Sequence, residues 1–137
     1  MFLLDTVTIS DFAKATPNPG LRGWLKETPD ALQFISVLSL GEIEAGLRGM
    51  AGGKRRRGLE AWAAGLTPLF DGRILRFEEE TARVWGRTLA EVKAKGLTIP
   101  TIDLMIAATA IQHGQTVVTR NTVHFEQCGV PTLNPWT

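Results

Sequence analysis

Five short apolar runs punctuate this chain: FLL (2–4), QFISV (33–37), ILRF (74–77), TVVT (116–119) and the weaker PTLNP (131–135). Each has the length of a buried strand, and the segments between them have the length and period of helices. Strands alternating with helices confine the chain to an α/β fold. The expected form is a parallel sheet of about five strands with helices on both faces, a three-layer sandwich.

The intervening segments carry their own signals. Leu40, Ile43, Leu47 and Met50 fall on one helical stripe, and Leu59, Trp62, Leu66 and Leu69 on another. A third helix is expected from Glu78 to Lys95, opening on three glutamates and closing on lysines before Gly96, as the helix dipole favours. A fourth, from about Thr101 to His113, is apolar nearly all round and should be buried. At 137 residues the chain is expected to form one domain, residues 1–137, with more than half of its unfolded surface buried. A net charge of +1 argues neither for nor against a polyanionic partner, so any nucleic-acid contact must rest on local patches. Cys128, the only cysteine, excludes an internal disulfide and suits a reducing compartment as an inert buried side chain. MFLLDT is too short for a signal peptide and no run reaches membrane-spanning length, so a cytoplasmic protein with no membrane partner is expected.

A parallel sheet gives the acids a destination, because ligands bind beyond the carboxyl ends of its strands. Asp5 stands where the first strand ends, Glu42 one helical turn after the second, and Asp103 at the start of the buried helix. Carboxylates gathered from such distant positions repel one another, and a divalent cation such as Mg²⁺ is the simplest compensation. Each acid also has a purely structural reading. Ser39-Leu40-Gly41-Glu42 matches a capping box, Asp103 suits a helix N-terminus, and Asp5 can cap the turn at Thr6–Thr8. Glu44 points away from Glu42 on a helix and is read as exposed or ion-paired.

LLDT, SLGEIEAGL, IPTIDLMIAATA and TRNTVHFEQCGVPTLNPW, in that order and nearly end to end, resemble the PIN-domain ribonucleases, specifically VapC-like toxins of toxin–antitoxin pairs. The resemblance implies a PIN-like three-layer sandwich, hydrolysis of RNA dependent on Mg²⁺ or Mn²⁺, a homodimer, and inhibition by a cognate antitoxin. It implies Asp5, Glu42 and Asp103 as catalytic, metal-binding acids, with DNA reached only through the antitoxin. Two positions depart from the family pattern. Val7 stands where relatives commonly have Asn, and near TRN, where many supply a fourth acid, this chain has Asn121, with His124 and Glu126 downstream. His124 is read as a packing or capping residue rather than a ligand. Thr119 and Asn121, at the end of the fourth strand, are placed to hydrogen-bond the carboxylates or the scissile phosphate, ordinary turn chemistry being the alternative.

Lys54-Arg55-Arg56-Arg57 is the one dense basic block. Cations at the start of a helix oppose its dipole, so the block is read as binding RNA phosphate or an acidic partner, with solvated surface as the alternative. It is no P-loop, since Arg48 and Arg55 stand where glycine and Ser/Thr are required. Trp24, Trp62 and Trp85 lie in helical patterns and are read as core or subunit interface. Val7 argues against a haloacid-dehalogenase-type phosphatase, which would need a second Asp there. The competing class is a PIN-like scaffold that binds its antitoxin without cleaving RNA.

Overall fold

A computed structural model describes residues 1–137. Its five strands are β1 (Phe2–Leu4), β2 (Gln33–Ser36), β3 (Ile74–Leu75), β4 (Thr116–Val118) and β5 (Thr132–Leu133). They form one sheet in the order β3-β2-β1-β4-β5, and every pairing is parallel. All five apolar runs therefore hold strands, although ILRF and PTLNP contribute only two residues each.

The strand register sorts the core into two layers. Leu3 pairs with Phe34 and Val117, while Leu4 pairs with Ile35 and Val118. Alternate residues face opposite sides of a sheet, so Leu3 and Val117 join one apolar cluster and Leu4, Ile35 and Val118 the other. The first cluster is covered by α6 (Glu79–Ala94), α7 (Thr101–His113) and α8 (Thr122–Gln127). The second is covered by α1 (Thr6–Asp11), α2 (Pro19–Glu27), α3 (Val37–Arg48), α4 (Lys54–Ala64) and α5 (Leu66–Leu69).

Local chemistry sets the helix ends. Glu78 and Lys95 cap α6, and α7 stops at Gly114, whose φ of 64° is the left-handed conformation that glycine adopts freely. In α7, Leu104, Ile106, Ala107, Ala108 and Ala110 are buried, as its unbroken apolar sequence demands. The stripe from Leu59 to Leu69 is divided, because the chain breaks at Gly65 between α4 and α5. Two helices have no long apolar pattern in the sequence. α1 is a six-residue helix capped by Asp5, and α2 starts on Pro19 behind an Asn18 cap, a favoured helix start. No helix is long and apolar enough to cross a membrane.

Candidate active site

The helices that follow β1 and β2, and the one that precedes β4, all begin at the carboxyl edge of the sheet, so their N-termini meet there. Asp5 is buried at the end of the central strand. Its backbone N–H continues the ladder to Val118 O, and its Oδ1 accepts from Thr8 N at 2.8 Å. The capping role and the candidate functional role thus fall on one carboxylate. Burial raises its pKa; the hydroxyls of Thr119 and Thr8 and the Thr8 N–H oppose this, and the charge of Asp103 adds to the rise. Thr119, just past β4, is wholly buried, and its Oγ1 accepts from the backbone N–H of Asn121 at 3.0 Å.

Asp103 lies in the first turn of α7, half-buried. Its Oδ2 is 2.9 Å from His124 Nδ1 on α8. His124 thus does more than pack: it pairs with a candidate acid. The other candidates for a fourth position lie elsewhere. Asn121 is exposed and engages Thr119 through its backbone, while Glu126 accepts from Thr132 at the surface. Cys128 is buried nearby, and its thiol pKa is pushed up first by burial and then by the charge of Asp103, with Lys95 opposing.

Glu42 occupies the second turn of α3. The capping box read at Ser39 is not formed, because α3 begins earlier: Ser36 is its N-cap and accepts from Leu38 N. Ser39 and Glu42, one helical turn apart, instead both meet Thr6 Oγ1, at 2.8 Å and 2.5 Å. Sequence reasoning missed Thr6. Its adjacency to Asp5 and the shared helical face of Ser39 and Glu42 were the available signals. Glu44 lies at the surface in an ion pair with Arg48 at 2.9 Å, and Val7 is exposed.

Asp5, Asp103 and the Thr119 hydroxyl are hard oxygen donors of the kind Mg²⁺ and Mn²⁺ accept. A cation would also relieve the burial and repulsion that Asp5 suffers. No three acid, histidine or cysteine side chains stand close enough to hold an ion together.

Beside the acids runs a groove of about 1130 Å³ between α1, α3 and α4. Thr6 and Glu42 lie on its wall, with Met50, Leu59 and Trp62 as apolar lining and Lys14, Lys54 and Arg55 as cations. The basic block is divided by this geometry. Lys54 and Arg55 line the groove, Arg56 is committed to Glu60 and to Met50 O, and Arg57 is exposed. Gly53, with φ of 149°, turns the chain into α4 in a conformation that side chains other than hydrogen resist. Trp24 packs edge-on against Phe2, and Trp85 packs on the α6–α7 side.

A parallel five-stranded sheet with Asp5 and Asp103 at its carboxyl edge is an α/β protein with a candidate acidic site, and comparison with known proteins identifies its family. The family model described as PIN domain matches residues 2–129. The chain is 35% identical over 137 residues to VapC ribonuclease Y4jK of Sinorhizobium fredii, covering 99% of this chain and 98% of that one. It is 36% identical over 137 residues to toxin FitB of Neisseria gonorrhoeae, covering 99% of each. A chain in the structure of FitAB bound to an IR36 DNA fragment matches with a TM-score of 0.92 at 35% identity, covering 100% of this chain and 96% of that one. The chain belongs to the PIN-domain family. Within it, the chain stands with the VapC and FitB toxins.

Proposed function

We propose that this protein is the toxin of a toxin–antitoxin pair and acts as an endoribonuclease dependent on Mg²⁺ or Mn²⁺. The observation that carries the reading is Asp5, a buried carboxylate at the carboxyl end of the central strand, which feels the charge of a second acid, Asp103. Asp5 and Asp103 would hold the cation, with the Thr8 N–H fixing the orientation of Asp5 and His124 that of Asp103. A bound cation of this kind lowers the pKa of a coordinated water and stabilises charge on the leaving oxygen of a phosphodiester. Glu42, anchored through Oε1, offers Oε2 as a hydrogen-bond acceptor for the attacking water. Lys54 and Arg55 supply positive charge for RNA phosphates along the groove.

The same groove, apolar with a cationic rim, suits a segment of the cognate antitoxin, so that antitoxin and RNA would exclude each other. DNA would be reached through the antitoxin; the similar FitAB complex is one bound to a DNA fragment. A homodimer is the expected assembly, and sedimentation at micromolar concentration tests it, a monomer counting against it.

The deciding experiment is RNA cleavage by the antitoxin-free protein with Mg²⁺ or Mn²⁺, alongside Asp5→Asn and Asp103→Asn. Activity in the wild type and its loss in both folded variants supports the reading. Retained cleavage in either variant rejects the site. A second reading, binding without catalysis, draws on Val7 and Asn121, the two departures from the family pattern; a wild type inert with either cation would favour it.

A further inference from the structure

Thr6 Oγ1 lies within hydrogen-bond reach of both a wholly buried hydroxyl, Ser39, and a candidate acid, Glu42. Proton chemistry fixes the direction of the two bonds. An ionised carboxylate only accepts, so Thr6 gives its one hydroxyl proton to Glu42 Oε1, and Ser39 must then donate to Thr6. Ser39 has no access to solvent, which leaves its proton a fixed destination. The chain runs Ser39 to Thr6 to Glu42, and each bond polarises the next.

Neither helix needs these bonds to begin. Asp5 caps α1 and Ser36 caps α3. What the hydroxyls do is tie the start of α1 to the second turn of α3 across the mouth of the site, where Thr6 and Glu42 share the groove wall. Thr6 directly follows Asp5, so the turn that delivers Asp5 also fixes Glu42.

We propose that Thr6, held in turn by Ser39, is the positioning residue for Glu42. It fixes Oε1 and so aims Oε2 at the attacking water, keeping Glu42 apart from the pair of acids that bind the cation. This rests on the ribonuclease reading. It divides the three acids by task, two for the cation and one for the water.

The test uses the whole chain, freed of antitoxin, with Thr6→Val, Thr6→Ser, Ser39→Ala and Glu42→Ala. Thr6→Val keeps the branched shape and loses the hydroxyl. It should lower kcat for RNA cleavage by roughly a hundredfold, the scale of misplacing a reacting group by about 1 Å, and leave KM little changed. Thr6→Ser should restore most of the rate, and Ser39→Ala should lie between. Added to Glu42→Ala, Thr6→Val should cause no further loss. Mn²⁺ affinity, measured by calorimetry without RNA, should be retained in Thr6→Val. Full kcat in a folded Thr6→Val protein overturns the proposal, as does a loss of Mn²⁺ affinity equal to that of Asp103→Asn. Unfolding free energies separate this from the reading it rests on. Thr6→Val and Glu42→Ala should be non-additive whether or not the protein cleaves RNA, and additive effects overturn the anchoring itself. A wild type that cleaves no RNA with either cation overturns the catalytic use of the anchor.

Discussion

Asp5 and Asp11 stand at the two ends of α1, both buried, at 7% and 3% exposure, and their surroundings push their pKa values in opposite directions. Burial works against the charge of each. At Asp11 it is outweighed: Lys14 Nζ lies 2.8 Å from Oδ1, the Asn18 N–H donates to Oδ2 at 2.8 Å, and Arg120 adds a further positive charge, so the pKa is lowered. At Asp5 burial prevails over the Thr119 and Thr8 hydrogen bonds, and Asp103 raises the pKa further. A buried acid already supplied with a cation is part of the structure. Asp5, whose charged neighbour is another acid, has no such partner, and the proposed cation would supply it.

The largest expected effect falls on the uncompensated end. Asp5→Asn should reduce RNA cleavage to background while the unfolding midpoint holds or rises, because the variant removes repulsion and the cost of a buried charge. The sign agrees: a pKa raised by folding gives stability that is complete below the unfolded value and is lost as pH rises through the folded one. Above its raised folded pKa the ionised Asp5 is therefore a burden that asparagine lifts. A clear drop in midpoint would show that its charge is structurally compensated after all.

Asp11 should behave in the opposite sense. Asp11→Ala leaves the Asn18 N–H without its partner and should cost about 1–3 kcal/mol in denaturant unfolding, with cleavage by the folded fraction retained. A pKa lowered by folding gives stability present above the unfolded value and lost as pH falls through the folded one. Wild type should accordingly lose stability on acidification more steeply than Asp11→Ala. Parallel acid profiles would contradict the assignment.

Smaller effects sharpen the contrast around the acids. His124→Ala should weaken Mn²⁺ binding about tenfold, as expected for a partner that orients a ligand from outside the shell. Asn121→Asp should change it less, since that side chain is exposed; a larger gain from Asn121→Asp than the loss in His124→Ala would reverse their roles. Smallest of all, Lys54→Ala with Arg55→Ala should flatten the salt dependence of RNA binding by about 0.7 in log–log slope per lost phosphate contact. An unchanged slope would make both residues ordinary surface.

Much of this arrangement is legible in the sequence, and the physical reason is periodicity. Strand positions follow from five apolar runs, and α7 follows from a segment that has no polar face to expose. The outward role of Glu44 follows from helix angle, since it cannot share a face with Glu42. What periodicity cannot carry is partnership between side chains far apart in the chain. Ser39 and Glu42 match a capping box by spacing, yet their partner is Thr6, 33 and 36 residues away. His124 meets Asp103 across 21 residues, and nothing local announces it. α1 and α2 are harder to bound for a different reason: they are short, α1 has only Asp5 to announce it, and α2 carries a single turn of apolar residues, Leu21, Trp24 and Leu25, behind the Asn18-Pro19 pair.

The contrast between the two ends of α1 reduces to whether Asp5 and Asp103 take up a divalent cation, and a calorimetric titration of the RNA-free protein with Mn²⁺ asks this most directly. Saturable binding is expected in wild type and in Asp11→Asn, and its loss in Asp5→Asn and Asp103→Asn. Undiminished binding in Asp5→Asn, or no binding in the folded wild type, would contradict the account.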